Sequence, residues 1–136
     1  MPNLEKLRDI FQHDVFACQM GAVIEAVDDG YARCTLDIRP DHMNAGNAVQ
    51  GGVTFTLADF TFAIAANGSG QMTVSLDNHI SYIAPAKGTR LIAEAKELHT
   101  TKRIAFYEVT VTDDLGTLVA VMQVNGYRKD VPIDVD

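Results

Sequence analysis

The stretch from Gln50 to Asn67, QGGVTFTLADFTFAIAAN, holds a single ionisable side chain, Asp59. A helix apolar on nearly every side persists in water only when other elements surround it, so the rest of the chain must supply a wrapping layer. Asp59 lies four residues after Phe55 and three before Phe62, inside an apolar stripe. An unpaired carboxylate buried there costs several kcal/mol or takes up a proton. It is therefore either a solvent-facing exception or a functional acid.

The flanking segments suit a wrapping sheet. QMGAVIEAV (19–27), the turn DDG and YARCTLDI (31–38) read as a hairpin, because Asp29 and Gly30 favour a tight reversal between β-prone runs. MTVSLDNHISYIAPA (72–86) alternates, with Met72, Val74, Leu76, Ile80 and Tyr82 on one face and Thr73, Ser75, Asp77, His79 and Ser81 on the other. Three more strands are expected over 89–100, 103–113 and 117–128. Within the N-terminal segment 1–14, Leu4, Leu7, Ile10 and Phe11 have the spacing of a short amphipathic helix. Residues 39–50 read as an irregular loop, and 129–136 as a frayed tail. The order predicts an α+β fold in one domain over 1–136, with a curved antiparallel sheet around a long central helix.

Several function classes are disfavoured. The 136 residues suffice for one core, and a net charge of −7 without a basic stripe argues against a nucleic-acid partner. No apolar run has membrane-spanning length and MPNLEKLRDIFQHD lacks a signal peptide's apolar stretch, so no membrane partner and a cytoplasmic location are expected. Cys18 and Cys34 form no CxxC, and His13, His42, His79 and His99 are scattered, so neither a disulfide nor a metal site is expected. With no GxSxG elbow or phosphate loop, catalysis would rest on the carboxylate.

Gly51 and Gly52 sit where loop becomes helix, leaving orphan N–H groups and the positive end of the dipole open to an oxyanion, although turn chemistry alone also explains them. Asp59 is eight residues further on, a rise of roughly 12 Å at about 1.5 Å per residue. A reacting carbon must lie within about 3 Å of both base and oxyanion donor. One chain cannot assemble both, whereas two chains with antiparallel helices about a two-fold axis do so twice, so a homodimer is required. Asn44, Gln50 and Ser75 are polar candidates to orient a carbonyl, bond beside the glycines and hold a water; turn former, N-cap and surface hydroxyl are their structural alternatives.

The run from Asn44 to Asp59, NAGNAVQGGVTFTLAD, followed by VSLDNHISYIAPA (74–86), resembles the hotdog-fold acyl-CoA thioesterases of the PaaI type over residues 15–128. The resemblance implies a long helix wrapped by a curved sheet, protomers joined sheet to sheet, and dimers that pair into tetramers. It implies Asp59 as catalytic carboxylate, Gly51 as oxyanion donor from the neighbouring chain, Asn44 beside the thioester and Ser75 assisting the water. Family members usually carry His where this chain has Gln50, and an amide positions but does not ionise.

On this reading Asp59 activates water, or attacks directly to give an anhydride, while Gly51 holds the oxyanion. The acyl-CoA thioester is the substrate and no cofactor is implied. Lys87, Arg90, Lys102 and Arg103 are candidate phosphate contacts, or merely solvated turn charges. Gly52, Phe55, Phe60, Phe62 and Tyr82 are candidate acyl contacts between protomers. A hotdog dehydratase or hydratase and a non-catalytic acyl-CoA binder are the competing readings.

Overall fold

The computed structural model describes residues 1–136. Its elements are α1 (Leu4–Phe11), α2 (Val15–Met20), β1 (Val23–Asp28), β2 (Tyr31–Asp37), a 3-10 turn (Pro40–His42), α3 (Gly51–Asn67), β3 (Gln71–Tyr82), β4 (Arg90–Thr100), β5 (Ile104–Asp113) and β6 (Leu118–Pro132). All strand pairs are antiparallel, in the order β1-β2-β4-β5-β6-β3. The expected wrap is present, with α3 packed against every strand. Leu57, Phe62 and Ile64 of the helix meet Leu91, Val109, Val111, Met122 and Val124 of the sheet in one core.

Both ends of α3 are fixed by polar side chains. Gln50 caps its start, accepting from Gly52 N at 2.5 Å. At the other end Asn67 is buried, donates to Ala63 O and Thr73 O, and accepts from Thr73 N at 2.9 Å. That amide ties the helix to β3 and sets where the strand begins.

Four details depart from the sequence expectations. Residues 15–20, partly assigned to a strand, form α2, with Asp14 as N-cap and Gly21 in the left-handed conformation at φ 101° as its stop. Residues 129–132 extend β6, and Val135 is buried with its carbonyl accepting from Asn3 N, so 129–136 is docked rather than frayed. Tyr82 ends β3, and Pro85 lies in a connection.

The fourth concerns the faces of β3. Its register with β6 shifts between Ser75 and Asp77, leaving Leu76 as an extra residue. Ser75 then pairs with Gly126 and Asn78 with Val124, two β6 residues that face the core. Thr73, Ser75, Asn78, Ile80 and Tyr82 thus share the inner face, while Val74, Asp77, His79 and Ser81 lie on the outer one. The bulge inverts the parity that simple alternation assigns.

Candidate active site

Hydrogen bonding at the start of α3 leaves one donor over. Gln50 takes the Gly52 N–H with its side chain and the Val53 N–H with its backbone carbonyl. The Gly51 N–H has no acceptor in the chain. Gly51 lines a cleft of about 390 Å³ together with Asn44, Thr54, Tyr82, Pro85 and Val119. A Cβ on Gly51 would stand 3.1 Å from Tyr82 Cζ, so only glycine keeps this approach open without moving the ring.

Neighbouring residues hold that amide in place. Tyr82 Oη donates to Gly51 O at 3.1 Å. Asn44 uses its side-chain oxygen to accept from Gly46 N and Ala48 N, which shapes the loop, and its Nδ2 has no acceptor. Gln50 Oε1 is occupied as the cap, and its Nε2 makes no hydrogen bond within the chain. On the other side of the helix start a second cavity of about 500 Å³ is lined by Phe16, Met20, Met43, Gln50, Phe55 and Tyr82, with Gly52 at its wall. Asn44, Gln50, Gly51, Gly52, Phe55 and Tyr82 therefore gather at one place.

Asp59 is elsewhere. Its Oδ1 is buried and accepts no hydrogen bond. Burial pushes the carboxyl above its ordinary value; the Ser75 hydroxyl opposes this, Asp14 adds to the rise and the Asn78 amide opposes it. Ser75 lies beside the acid, and its Oγ donates to Asn78 Oδ1 at 2.8 Å. Asn78 is the residue that sequence reasoning misses. Strict alternation puts it opposite Ser75, and only the bulge at Leu76 brings the two together.

The structure separates the other candidates. Phe62 is 1% exposed and packs edge-on against Tyr107, while Phe60 packs against Phe11, so both rings are core residues that line neither cavity at the Gly51 end. Phe60 instead lines a smaller cavity of about 200 Å³ with Phe11, Cys18 and Ala22. Lys87 follows the cleft-lining Pro85 and Ala86 and is exposed, whereas Arg90 pairs with Asp37 at 3.1 Å. Lys102 and Arg103 lie in the β4–β5 turn at the opposite end of the sheet from Tyr82, Arg103 pairing with Asp130 at 2.9 Å.

The helix thus carries an unbonded amide in a cleft at its start and, further along, a carboxyl oxygen without a donor beside a hydroxyl. Residues 46–120, more than half the chain, match the thioesterase superfamily. A putative esterase of Archaeoglobus fulgidus is 32% identical over 92% of this chain and 82% of its own. The acyl-coenzyme A thioesterase PaaI of Escherichia coli is 28% identical over 88% of this chain and 86% of its own. The structure of that PaaI protein superposes with a TM-score of 0.89, covering 96% of this chain and 99% of the other at 25% identity. The chain belongs to the thioesterase superfamily. Within it the chain is a PaaI-like protein of hotdog fold, and a thioester hydrolase.

Proposed function

We propose that the chain is an acyl-CoA thioesterase whose sites are each shared by two subunits, Asp59 from one and the Gly51 N–H from the other. One observation carries this reading. The unpaired amide and the unpaired carboxylate sit on one rigid helix, eight residues and roughly 12 Å apart. No thioester carbon reaches both within a protomer, and antiparallel pairing about a two-fold axis brings them together twice.

The sheet edges support that pairing. At the β1 edge the Ile24 carbonyl is taken by the Arg8 guanidinium at 2.8 Å, and the ladder is broken between Ile24 and Ala26. β3 is the other edge, twelve residues long, with Val74, Leu76, Tyr82 and the adjoining Ile83 between 40% and 61% exposed. Joining two β3 edges antiparallel brings the Gly51 end of one protomer beside the Lys102–Arg103 end of its partner. Lys87 of one chain and Lys102 of the other, neither in an ion pair, would then flank one cleft as candidate coenzyme A phosphate contacts. Pairing of dimers into tetramers is part of the same reading.

In the reaction, the thioester carbonyl enters the cleft with its oxygen on the Gly51 N–H and near the Asn44 amide. Asp59 of the other subunit removes a proton from water as it attacks, and the tetrahedral oxyanion is held by the amide and the helix dipole. Collapse expels coenzyme A as its thiolate and leaves the free acid. No cofactor takes part.

A panel of acyl-CoA thioesters with a thiol-reactive dye tests this. Wild type should release coenzyme A, and Asp59→Ala should release it at least about 10²-fold more slowly. Tight binding without release would make the protein an acyl-CoA binder, and a monomer on a sizing column would remove the shared site.

A further inference from the structure

Asn78 is unaccounted for by the reaction as described. It reaches the inner face of β3 only because of the bulge at Leu76, and there its Oδ1 accepts the Ser75 hydroxyl proton at 2.8 Å. A hydroxyl has one proton to give. With that proton directed to Asn78, Ser75 presents its lone pairs to a water beside it. Asn78 Nδ2 is left over to face the acid, and Asp59 Oδ1 has no donor at hydrogen-bond distance.

An attacking water gives one proton to its base and needs an acceptor for the other. Ser75 Oγ is that acceptor only if its own proton is fixed elsewhere. We propose that Asn78 is a positioning residue of the hydrolytic site: its Oδ1 makes Ser75 an acceptor for the attacking water, and its Nδ2–H steadies the Asp59 carboxylate. The proton balance is closed, since the water's first proton passes to Asp59, its second stays on the attacking oxygen bonded to Ser75, and Ser75 keeps its own. The proposal rests on Asp59 acting as the base.

The electrostatic surroundings are simple. Asp14, at the start of α2, is the ionisable side chain acting on Asp59; β3 presents the uncharged Ser75 and Asn78, and β6 presents Gly126, Val124 and Met122. Burial raises the Asp59 carboxyl and the Asn78 amide counteracts that. Loss of the amide should therefore move the acid limb of kcat/KM to higher pH.

Asn78→Val suits a strand and removes both polar functions, while Asn78→Asp keeps an acceptor for Ser75 and adds a negative charge beside Asp59. For Asn78→Val we expect kcat to fall about tenfold, KM to change less than about twofold, and the acid limb to rise. Asn78→Asp should shift the limb further yet regain most of the rate on the alkaline plateau. In a Ser75→Ala background, Asn78→Val should cost less than it does alone. An unmoved pH profile in Asn78→Asp, or additive effects of Ser75→Ala and Asn78→Val, would overturn the proposal even if one variant folds poorly. Asp59→Asn measured alongside separates the two readings: if it hydrolyses like wild type the base assignment fails, and if it is inactive while the Asn78 profiles are unmoved only this inference fails.

Discussion

Replacing Asp59 with Asn should stabilise the protein while abolishing its activity. The side chain keeps its shape but loses a charge that burial penalises more than Ser75 and Asn78 offset. Oδ1 is buried without a donor, the charge acting on the group is the like-signed Asp14, and burial raises the carboxyl from its ordinary value. A buried polar group without its partner costs about 1–3 kcal/mol, more when charged. Because Asp59 is only half-buried and keeps some solvent screening, the expected gain is about 1–2 kcal/mol, or roughly 3–8 °C in Tm for a chain of this size.

The sign with pH follows from linkage. A carboxyl raised in the folded state destabilises it fully above the folded pKa, and the penalty fades as pH falls towards the unfolded value near about 3.9. The advantage of Asp59→Asn over wild type should thus be largest near neutrality and close on acidification. Thermal melts by circular dichroism from neutral pH down to about pH 4, at equal protein concentration, measure it. Coenzyme A release in the same samples should be at least about 10²-fold slower. A variant melting no higher than wild type at neutral pH, or an advantage that grows in acid, would refute the reasoning.

Two further predictions concern the frame. Burial would raise the Asp113 carboxyl, but N–H donors from Lys87, Thr117 and Gly88 outweigh it and hold the group well below the usual carboxylate range; Leu115 N also donates to it. Asp113→Asn has one acceptor oxygen for four donors and should lower Tm by several degrees. The wild-type advantage should persist above about pH 4 and disappear only as pH falls through the depressed folded value; a constant gap in melts down to about pH 2 would contradict this. A Cβ on Gly126 would lie 2.7 Å from Phe62 Cζ and 2.8 Å from Thr73 Cγ2. Gly126→Ala should therefore cost about 1–3 kcal/mol by overpacking in denaturant unfolding, and slow hydrolysis by pushing Ser75 from Asp59; unchanged stability would show that β3 yields freely.

The long helix and its lone acid were legible because composition alone demands a wrapping layer around QGGVTFTLADFTFAIAAN. The loop before it and the following strands were marked by turn residues, so the order of the main elements could be read. α2 escaped because six residues are too few for periodicity, although Asp14 and Gly21 were a readable cap and stop. The faces of β3 were misassigned because period-two reasoning assumes no extra residue, and nothing in SLDN announces the bulge that joins Ser75 to Asn78. That Phe60 packs on Phe11 and Phe62 on Tyr107 needed the structure, because a helix apolar all round gives no indication of which side the sheet covers. The cap formed by Gln50 was among the alternatives open to the sequence, but that it leaves Gly51 as the free amide needed the hydrogen-bond geometry.

Subunit complementation tests the shared site most directly. Asp59→Ala dimers lack the acid at both sites, and Gly51→Val dimers block the amide at both, so each alone should be inactive. Unfolded, mixed in equal amounts and refolded together, about half the dimers are hybrids, each pairing one intact Asp59 with one intact Gly51. Thioester hydrolysis should then return to about one quarter of the wild-type rate, whereas a mixture as inactive as its components would place acid and amide in the same chain and contradict the account.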